Sequence, residues 1–153
     1  MQRSINYFFS LFKRYCLDIA RGQKENADPK NGLQVHTYYS HEGQLAIDQI
    51  FDTERFVDET LYMPEFDVCV TVSGVEANAT VSLAACDGSE TQQLVLSDTG
   101  QITPASDSSL CVTAAQEVKT GRSKTNLMRA LSLQQCDEDS APTRVWRIRT
   151  EDD

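Results

Sequence analysis

Four of the five cysteines in this chain fall at matching places in two copies of one sequence pattern. Cys69 and Cys111 each lie in a short apolar segment, and Cys86 and Cys136 each end a later segment in which polar and apolar residues alternate. A third and looser copy begins at Cys16. Because a repeated pattern indicates a repeated supersecondary unit, the copies predict a fold built from similar lobes.

Each copy contains about four short segments with strand character, separated by turn residues such as Asp98-Thr99-Gly100. Repeated short strands of this kind predict an all-β barrel or sandwich, and threefold repetition favours a closed barrel. We expect one domain over residues 5–151, with lobes of roughly 5–53, 54–97 and 98–151. A short helix competes with a strand at residues 44–51. The predicted strands cover residues 5–12, 15–20, 33–38, 67–72, 79–86, 92–96, 101–103, 109–113, 128–136 and 145–150.

The cysteines are interpreted as structural, since no two lie the two to four residues apart that a metal site requires. The count fits two disulfides within repeats, Cys69–Cys86 and Cys111–Cys136, with Cys16 left as a thiol. Each disulfide would stabilise the fold by roughly 3 kcal/mol in the chain-entropy model. Disulfides imply an oxidising compartment, which is secreted, lumenal (the secretory pathway, including the Golgi) or periplasmic. In that setting Asn78-Ala79-Thr80 predicts N-glycosylation at Asn78.

The charge balance narrows the range of partners. The chain has 14 Lys and Arg against 23 Asp and Glu, a formal net charge of −9. A nucleic-acid partner is therefore not expected, because phosphate binding needs clustered cations. No apolar run approaches the ~20 residues of a membrane-spanning helix. The apolar residues near the start run directly into Lys13-Arg14 without a cleavage site, so they are interpreted as a strand and not as a targeting signal.

The repeated motifs resemble those of the ricin B-type β-trefoil lectins, and the resemblance implies a β-trefoil of three repeats. The repeat of that family has a Cys-Leu-Asp-Val-like strand, a second apolar strand ending in Cys, and a Gln-x-Trp core motif. Here the first strand appears as Cys16-Leu17-Asp18-Ile19, Cys69-Val70-Thr71-Val72 and Cys111-Val112-Thr113-Ala114. The second begins at Val35, Val81 and Leu131, five residues before Ser40, Cys86 and Cys136. The third appears as Gln49-Ile50-Phe51, Gln93-Leu94-Val95 and Arg144-Val145-Trp146.

The resemblance also implies a set of sugar-binding residues in the first lobe. A working lobe of the family has an Asp after its first cysteine, an aromatic ring two residues before its second, and an Asn before the core-motif glutamine. The first lobe has Asp18, Tyr38 and Asp48 at these positions, with Ser40 in place of the second cysteine. His41 is similar to a histidine in the lectin domain of the polypeptide N-acetylgalactosaminyltransferases. Charged acceptors such as Asp18 make strong hydrogen bonds to hydroxyl groups.

The other two lobes lack these residues and are interpreted as structural. The second has Thr71 and Ala84 at the Asp and ring positions, and the third has Thr113 and Gln134. Simpler roles compete in the first lobe as well. Asp18 could bond a turn, Tyr38 could be a half-buried strand residue, and His41 could be a solvated loop residue. Cys16 is interpreted as a small buried hydrophobic residue, since nothing near His36 and His41 provides a third orienting group for a reactive thiol.

The expected function is that of a carbohydrate-binding, lectin-like module without catalysis or cofactor of its own. It would recognise galactose or N-acetylgalactosamine weakly through the first lobe, with glycans or glycoproteins as partners. One alternative is the lectin portion of a glycosyltransferase or glycosidase. Another is a trefoil that has lost sugar binding and mediates protein–protein contact.

Overall fold

The computed structural model describes residues 6–11, 15–20, 27–37, 50–52, 58–120, 127–136 and 143–149. In these ranges the chain is all-β, as predicted, with short 3₁₀ turns at Pro29–Asn31 and Glu90–Gln92. Within the same ranges, no helix is long and apolar enough to cross a membrane. The strands are β1 (Asn6–Leu11), β2 (Tyr15–Ile19), β3 (Leu33–Thr37), β4 (Phe51–Asp52), β5 (Tyr62–Met63), β6 (Val68–Val72), β7 (Val81–Ala84), β8 (Leu94–Leu96), β9 (Ile102–Pro104), β10 (Leu110–Ala114), β11 (Lys119–Thr120), β12 (Leu127–Arg129), β13 (Leu131–Gln135) and β14 (Arg147–Arg149).

Six of these strands form the frame of the molecule. Antiparallel pairing joins β14 to β1, β1 to β4 and β4 to β5, and it joins β8 to β9. Two backbone bonds link these groups: Leu94 N donates to Glu59 O at 2.8 Å, and Trp146 N donates to Gly100 O at 2.7 Å. Each of the three repeats therefore contributes its first and last strand to one barrel-like frame, which is the arrangement of a β-trefoil.

Six further strands form one hairpin in each lobe, and these three hairpins share one register. The pairs are β2–β3, β6–β7 and β10–β13. We call the residue opposite the first cysteine of each hairpin the facing position. Cys16 faces His36, Cys69 faces Ala84, and Cys111 faces Gln134. This register makes residues of the three lobes comparable one by one.

Large apolar side chains at equivalent places close the core. Phe51, Leu94 and Trp146 lie at the start of or just before the last strand of each lobe, and all are at most 2% exposed. The Trp146 indole Nε1 also donates to Val112 O at 3.1 Å, so its one polar atom is satisfied inside the core. Burying side chains of this size contributes roughly 1.5–3 kcal/mol each. The repeated apolar residues of the three lobes thus meet in one shared hydrophobic core.

The disulfides have the predicted connectivity. Cys69 is bonded to Cys86, and Cys111 is bonded to Cys136, with Cα–Cα distances of 5.1 and 5.3 Å. Cys16 lies outside both disulfides, is buried, and donates from Sγ to His36 O at 3.6 Å. The second and third hairpins are therefore covalently closed near their ends, and the first is held by its backbone ladder and packing.

The third lobe carries a hairpin that the sequence did not predict. No predicted strand covers residues 114–127, but β11 forms within this segment and pairs with β12. Strand β12 then pairs with β3 of the first lobe, with Met128 opposite His36 and Arg129 opposite Val35. The polar residues Lys119 and Thr120 are exposed and have no apolar period, which explains why the pattern did not indicate a strand. The competing helix at residues 44–51 lies almost wholly outside the described residues.

Candidate functional site

The first lobe brings a carboxylate and an imidazole together on one face of its hairpin. Asp18 lies in the middle of β2, and His36 lies diagonally across the ladder on β3. The His36 Nδ1 and Asp18 Oδ2 atoms are 3.7 Å apart. Asp18 is only 2% exposed and His36 only 5%. When the imidazole is protonated, the two groups form a buried ion pair in which each charge compensates the other.

The register places His36, and not Tyr38, at the ring position of the first lobe. Ala84 and Gln134 face the first cysteines of their hairpins, and His36 is the residue that faces Cys16. The alignment made from the sequence was therefore wrong by two residues in this strand. Tyr38 itself lies outside the described residues, and its contact with a sugar stays a prediction.

The same shift explains why Cys16 lies outside both disulfides. In the other two lobes the second cysteine follows the facing position by two residues. In the first lobe that place belongs to Tyr38, so Tyr38 and not Ser40 replaces the cysteine. A two-residue slip keeps every side chain on its original face of the sheet, because side chains alternate with a period of two. Without a second cysteine, the apolar pattern alone could not detect the error.

The core motif of the second lobe is also shifted from its predicted place, here by one residue. Gln92 is 3% exposed; its Nε2 donates to Ala85 O at 2.9 Å and its Oε1 accepts from Asp87 N at 2.9 Å. In the third lobe Arg144 makes the matching bond, from Nη1 to Gln135 O. Both acceptors directly precede the second cysteine of their hairpin. The motif is thus Gln92-Gln93-Leu94. The sequence prediction began it one residue later because Gln93 is also a glutamine.

The residues equivalent to Asp18 in the other two lobes are neutral, and their hydroxyl groups bond to other groups of the protein. The Thr71 hydroxyl lies 3.3 Å from Thr91 Oγ1 and 3.4 Å from Thr91 O. The Thr113 hydroxyl donates to Cys111 O at 2.9 Å, within its own strand. Among these three equivalent positions, Asp18 alone provides a charged acceptor. Sequence reasoning missed His36, and its choice of the first lobe as the binding lobe stays a prediction.

The predicted residues His41 and Asp48 lie outside the described part of the chain, so the structure does not place them beside Asp18. Among the described residues, no group of three or more His, Cys, Asp or Glu side chains is arranged to hold a metal ion.

The family model for the ricin-type β-trefoil lectin domain matches residues 58–153, more than half of the chain. The chain belongs to this family. The match includes the second and third lobes, where both disulfides lie. Among curated proteins, none matches the sequence.

Solved structures share the fold of this ricin-type trefoil at low sequence identity. The agglutinin from Abrus precatorius is similar with a TM-score of 0.69 and 18% identity over 97% of the chain. The chain spans about half of that protein, 49% of its length. The C-half of the earthworm R-type lectin, solved in complex with GalNAc, has a TM-score of 0.63 and 15% identity, with 95% of this chain and 98% of that chain covered. The Vibrio vulnificus hemolysin/cytolysin β-trefoil lectin, solved with N-acetyl-D-lactosamine bound, has a TM-score of 0.55 and 14% identity, with coverages of 97% and 96%.

Proposed function

We propose that this protein is a carbohydrate-binding module that recognises galactose or N-acetylgalactosamine weakly through its first lobe. One observation carries the proposal: only in the first lobe does the residue two places after the first cysteine carry a carboxylate, and there a ring lies at the facing position. Family membership supports the class of ligand. So do the similar structures that were solved with GalNAc and with N-acetyl-D-lactosamine bound.

Each group has a distinct role in this proposal. The Asp18 carboxylate accepts hydrogen bonds from two neighbouring sugar hydroxyls, and charge makes these bonds stronger than neutral ones. The His36 imidazole presents a flat face to the apolar side of the sugar. Tyr38, His41 and Asp48, which follow β3 in the sequence, complete the site as a second ring and further polar groups. The module performs no catalysis of its own.

Burial of the Asp18–His36 pair favours a second candidate function. With exposures of 2% and 5%, the two side chains must become accessible before a sugar can reach them. If they remain covered, the pair is a structural feature of the hairpin, and the trefoil serves protein–protein contact without sugar. The two functions therefore differ in whether Asp18 is exposed when ligand is present.

The protein's setting is a further part of the proposal. Two disulfides among the described residues support an oxidising compartment, outside the cell or in the secretory lumen, including the Golgi. Glycans and glycoproteins are the partners in that setting. A chain that extends this module with a glycosyltransferase or glycosidase domain would use it to hold the enzyme on its glycan substrate. Assays of transfer or hydrolysis on the natural full-length product would distinguish this arrangement from a free-standing lectin.

The proposal is tested by retention on immobilised galactose and N-acetylgalactosamine. We expect Asp18→Asn to reduce affinity by about tenfold or more, because a hydrogen bond to a charged group contributes roughly 1.5–3 kcal/mol. Asn keeps the shape of Asp, so this variant separates loss of charge from loss of folding. Thr113→Asn, at the equivalent position of the third lobe, is the matched control and should bind as the wild type does. Equal binding by wild type and Asp18→Asn would contradict the assignment of the site.

A further inference from the structure

Asn78 occupies a fixed, exposed turn between β6 and β7. Its backbone is left-handed, with φ of 71°, a conformation that Asn adopts more readily than most residues. The side chains of Asn78 and Thr80 are exposed, and Ala79 between them is buried and holds the turn against the core. The turn thus presents its first and third residues outward.

The third lobe orients the Asn78 amide. Asn78 N donates to Leu133 O at 2.7 Å, and Leu133 N donates to Ala79 O at 2.9 Å, so the turn is anchored to β13. The side-chain oxygen Oδ1 accepts from Gln134 Nε2 at 3.1 Å. This bond uses the oxygen of the amide, whereas a glycan is attached through the nitrogen, Nδ2. Attachment of a glycan is therefore compatible with every contact that anchors the turn.

The local sequence provides the acceptor motif. Asn78-Ala79-Thr80 has the Asn-x-Thr order, and none of the other four asparagines has Ser or Thr two residues later. The disulfides Cys69–Cys86 and Cys111–Cys136 are typical of the compartment in which this modification occurs. Surface turns accommodate the bulk of a glycan without loss of core packing.

We propose that Asn78 is an N-glycosylation site whose glycan lies over the third lobe beside Gln134. In the transfer, a bond forms between Nδ2 and the anomeric carbon of an oligosaccharide carried on a lipid diphosphate. The bond from that carbon to the diphosphate oxygen breaks, the amide loses one proton, and the lipid diphosphate leaves. Gln134 is the third-lobe counterpart of His36, so the glycan covers the third lobe's equivalent of the first-lobe site. This modification does not depend on whether the first lobe binds sugar.

The test is secretion of the full chain from eukaryotic cells behind an added cleavable signal sequence, followed by intact-mass measurement. We expect the wild type to carry a glycan that peptide N-glycosidase removes, leaving Asp at position 78 and a mass one dalton above that of the unmodified chain. Asn78→Gln and Thr80→Ala should lack the glycan completely. Thr80→Ser keeps the acceptor motif and should retain it.

Position over the third lobe is tested on the same preparations. With the glycan present, cross-linking of the oxidised glycan to an introduced lysine in Gln134→Lys should exceed that in a control at the second 3₁₀ turn, Glu90→Lys, by several-fold. A secreted, disulfide-bonded wild type without glycan at Asn78 would overturn the modification site. A glycan that cross-links equally to both introduced lysines would overturn its placement over the third lobe.

Discussion

The first and third lobes solve the same folding problem with different side chains. The third lobe closes its hairpin with the Cys111–Cys136 disulfide and fills its core position with Trp146. The first has Phe51 in the core, and its Cys16 lies outside both disulfides. The two lobes also differ at the position two residues after the first cysteine. The third lobe has Thr113 there, which bonds within its own strand, and the first lobe has the charged Asp18. Covalent reinforcement and the charged group therefore occur in different lobes.

This difference shows how a repeated fold separates stability from a candidate binding site. A buried carboxylate costs desolvation free energy unless it is compensated, and in this lobe His36 lies close enough to provide the compensation. The disulfide-bonded lobes carry neutral hydroxyls there and avoid that cost. The charged side chain thus lies in the lobe that contains neither of the two disulfides.

The largest expected effect on stability comes from removing the Cys111–Cys136 disulfide. Replacing Cys111 and Cys136 together by Ala should lower the free energy of unfolding by about 3 kcal/mol, since the closed loop is released in the unfolded chain. Cys16→Ala removes only a small buried thiol and should cost about 1 kcal/mol. Guanidinium unfolding of the purified variants measures both. If Cys16→Ala were as costly as the disulfide deletion, the contrast between the lobes would be wrong.

The next prediction concerns a disulfide introduced into the first lobe. Tyr38 follows His36 by two residues in the sequence, as the second cysteine follows the facing position in the other lobes, so Tyr38→Cys should form a disulfide with Cys16 under oxidising conditions. Such a loop would raise the free energy of unfolding by about 3 kcal/mol in the chain-entropy model.

Peptide mass mapping detects this bond directly. Ser40→Cys, at the position chosen by the sequence alignment, is the matched control and should leave both thiols reactive. Pairing of Cys16 in the Ser40→Cys variant, and not in Tyr38→Cys, would refute the register.

The smallest effect concerns the turn before β10 in the third lobe. Hydrogen bonds to Asp107 from the Ser109 hydroxyl, at 2.6 Å, and from the Ser109 N–H, at 3.0 Å, lower the pKa of this carboxyl below its ordinary value of 3.8. The ionised form is therefore favoured in the folded state. Its stabilisation is present above the ordinary pKa and is lost as pH falls through the folded pKa.

Thermal melts across this pH range measure the effect. Asp107→Asn should lie slightly below the wild type in Tm at neutral pH, and the difference should shrink as the pH falls below 3.8. A difference that is constant with pH would show that Asp107 does not act through its charge.

The sequence predicted the trefoil because its determinants are local and repeated. The cysteines, the buried apolar strand residues and the turns recur in the same order, and each of them constrains the chain near its own position. The matching places of the cysteines in the repeats also predicted the disulfide pairing. The assignment of Asp18 to a binding site stays a prediction, made from its place two residues after Cys16 in the repeated strand motif.

The errors arose where the local sequence pattern fitted two alignments equally well, or where the cause of a structure lay in another lobe. A slip of two residues in β3 leaves the apolar alternation unchanged, so Tyr38 was placed where the register puts His36. Adjacent glutamines gave two equivalent choices for the core motif, and only the buried contacts of Gln92 decide between them. The hairpin β11–β12 forms because β3 of another lobe accepts it as a neighbour, which is a tertiary cause that a local pattern does not contain.

The central claim, that binding belongs to the first lobe, is tested most directly by a chemical-shift titration. The ¹⁵N-labelled full chain would be titrated with galactose and then with N-acetylgalactosamine. The account predicts concentration-dependent shifts centred on the amides of Asp18 and His36, with β6–β7 and β10–β13 unchanged. Shifts centred on Thr71 or Thr113, or no shifts at saturating sugar, would contradict it.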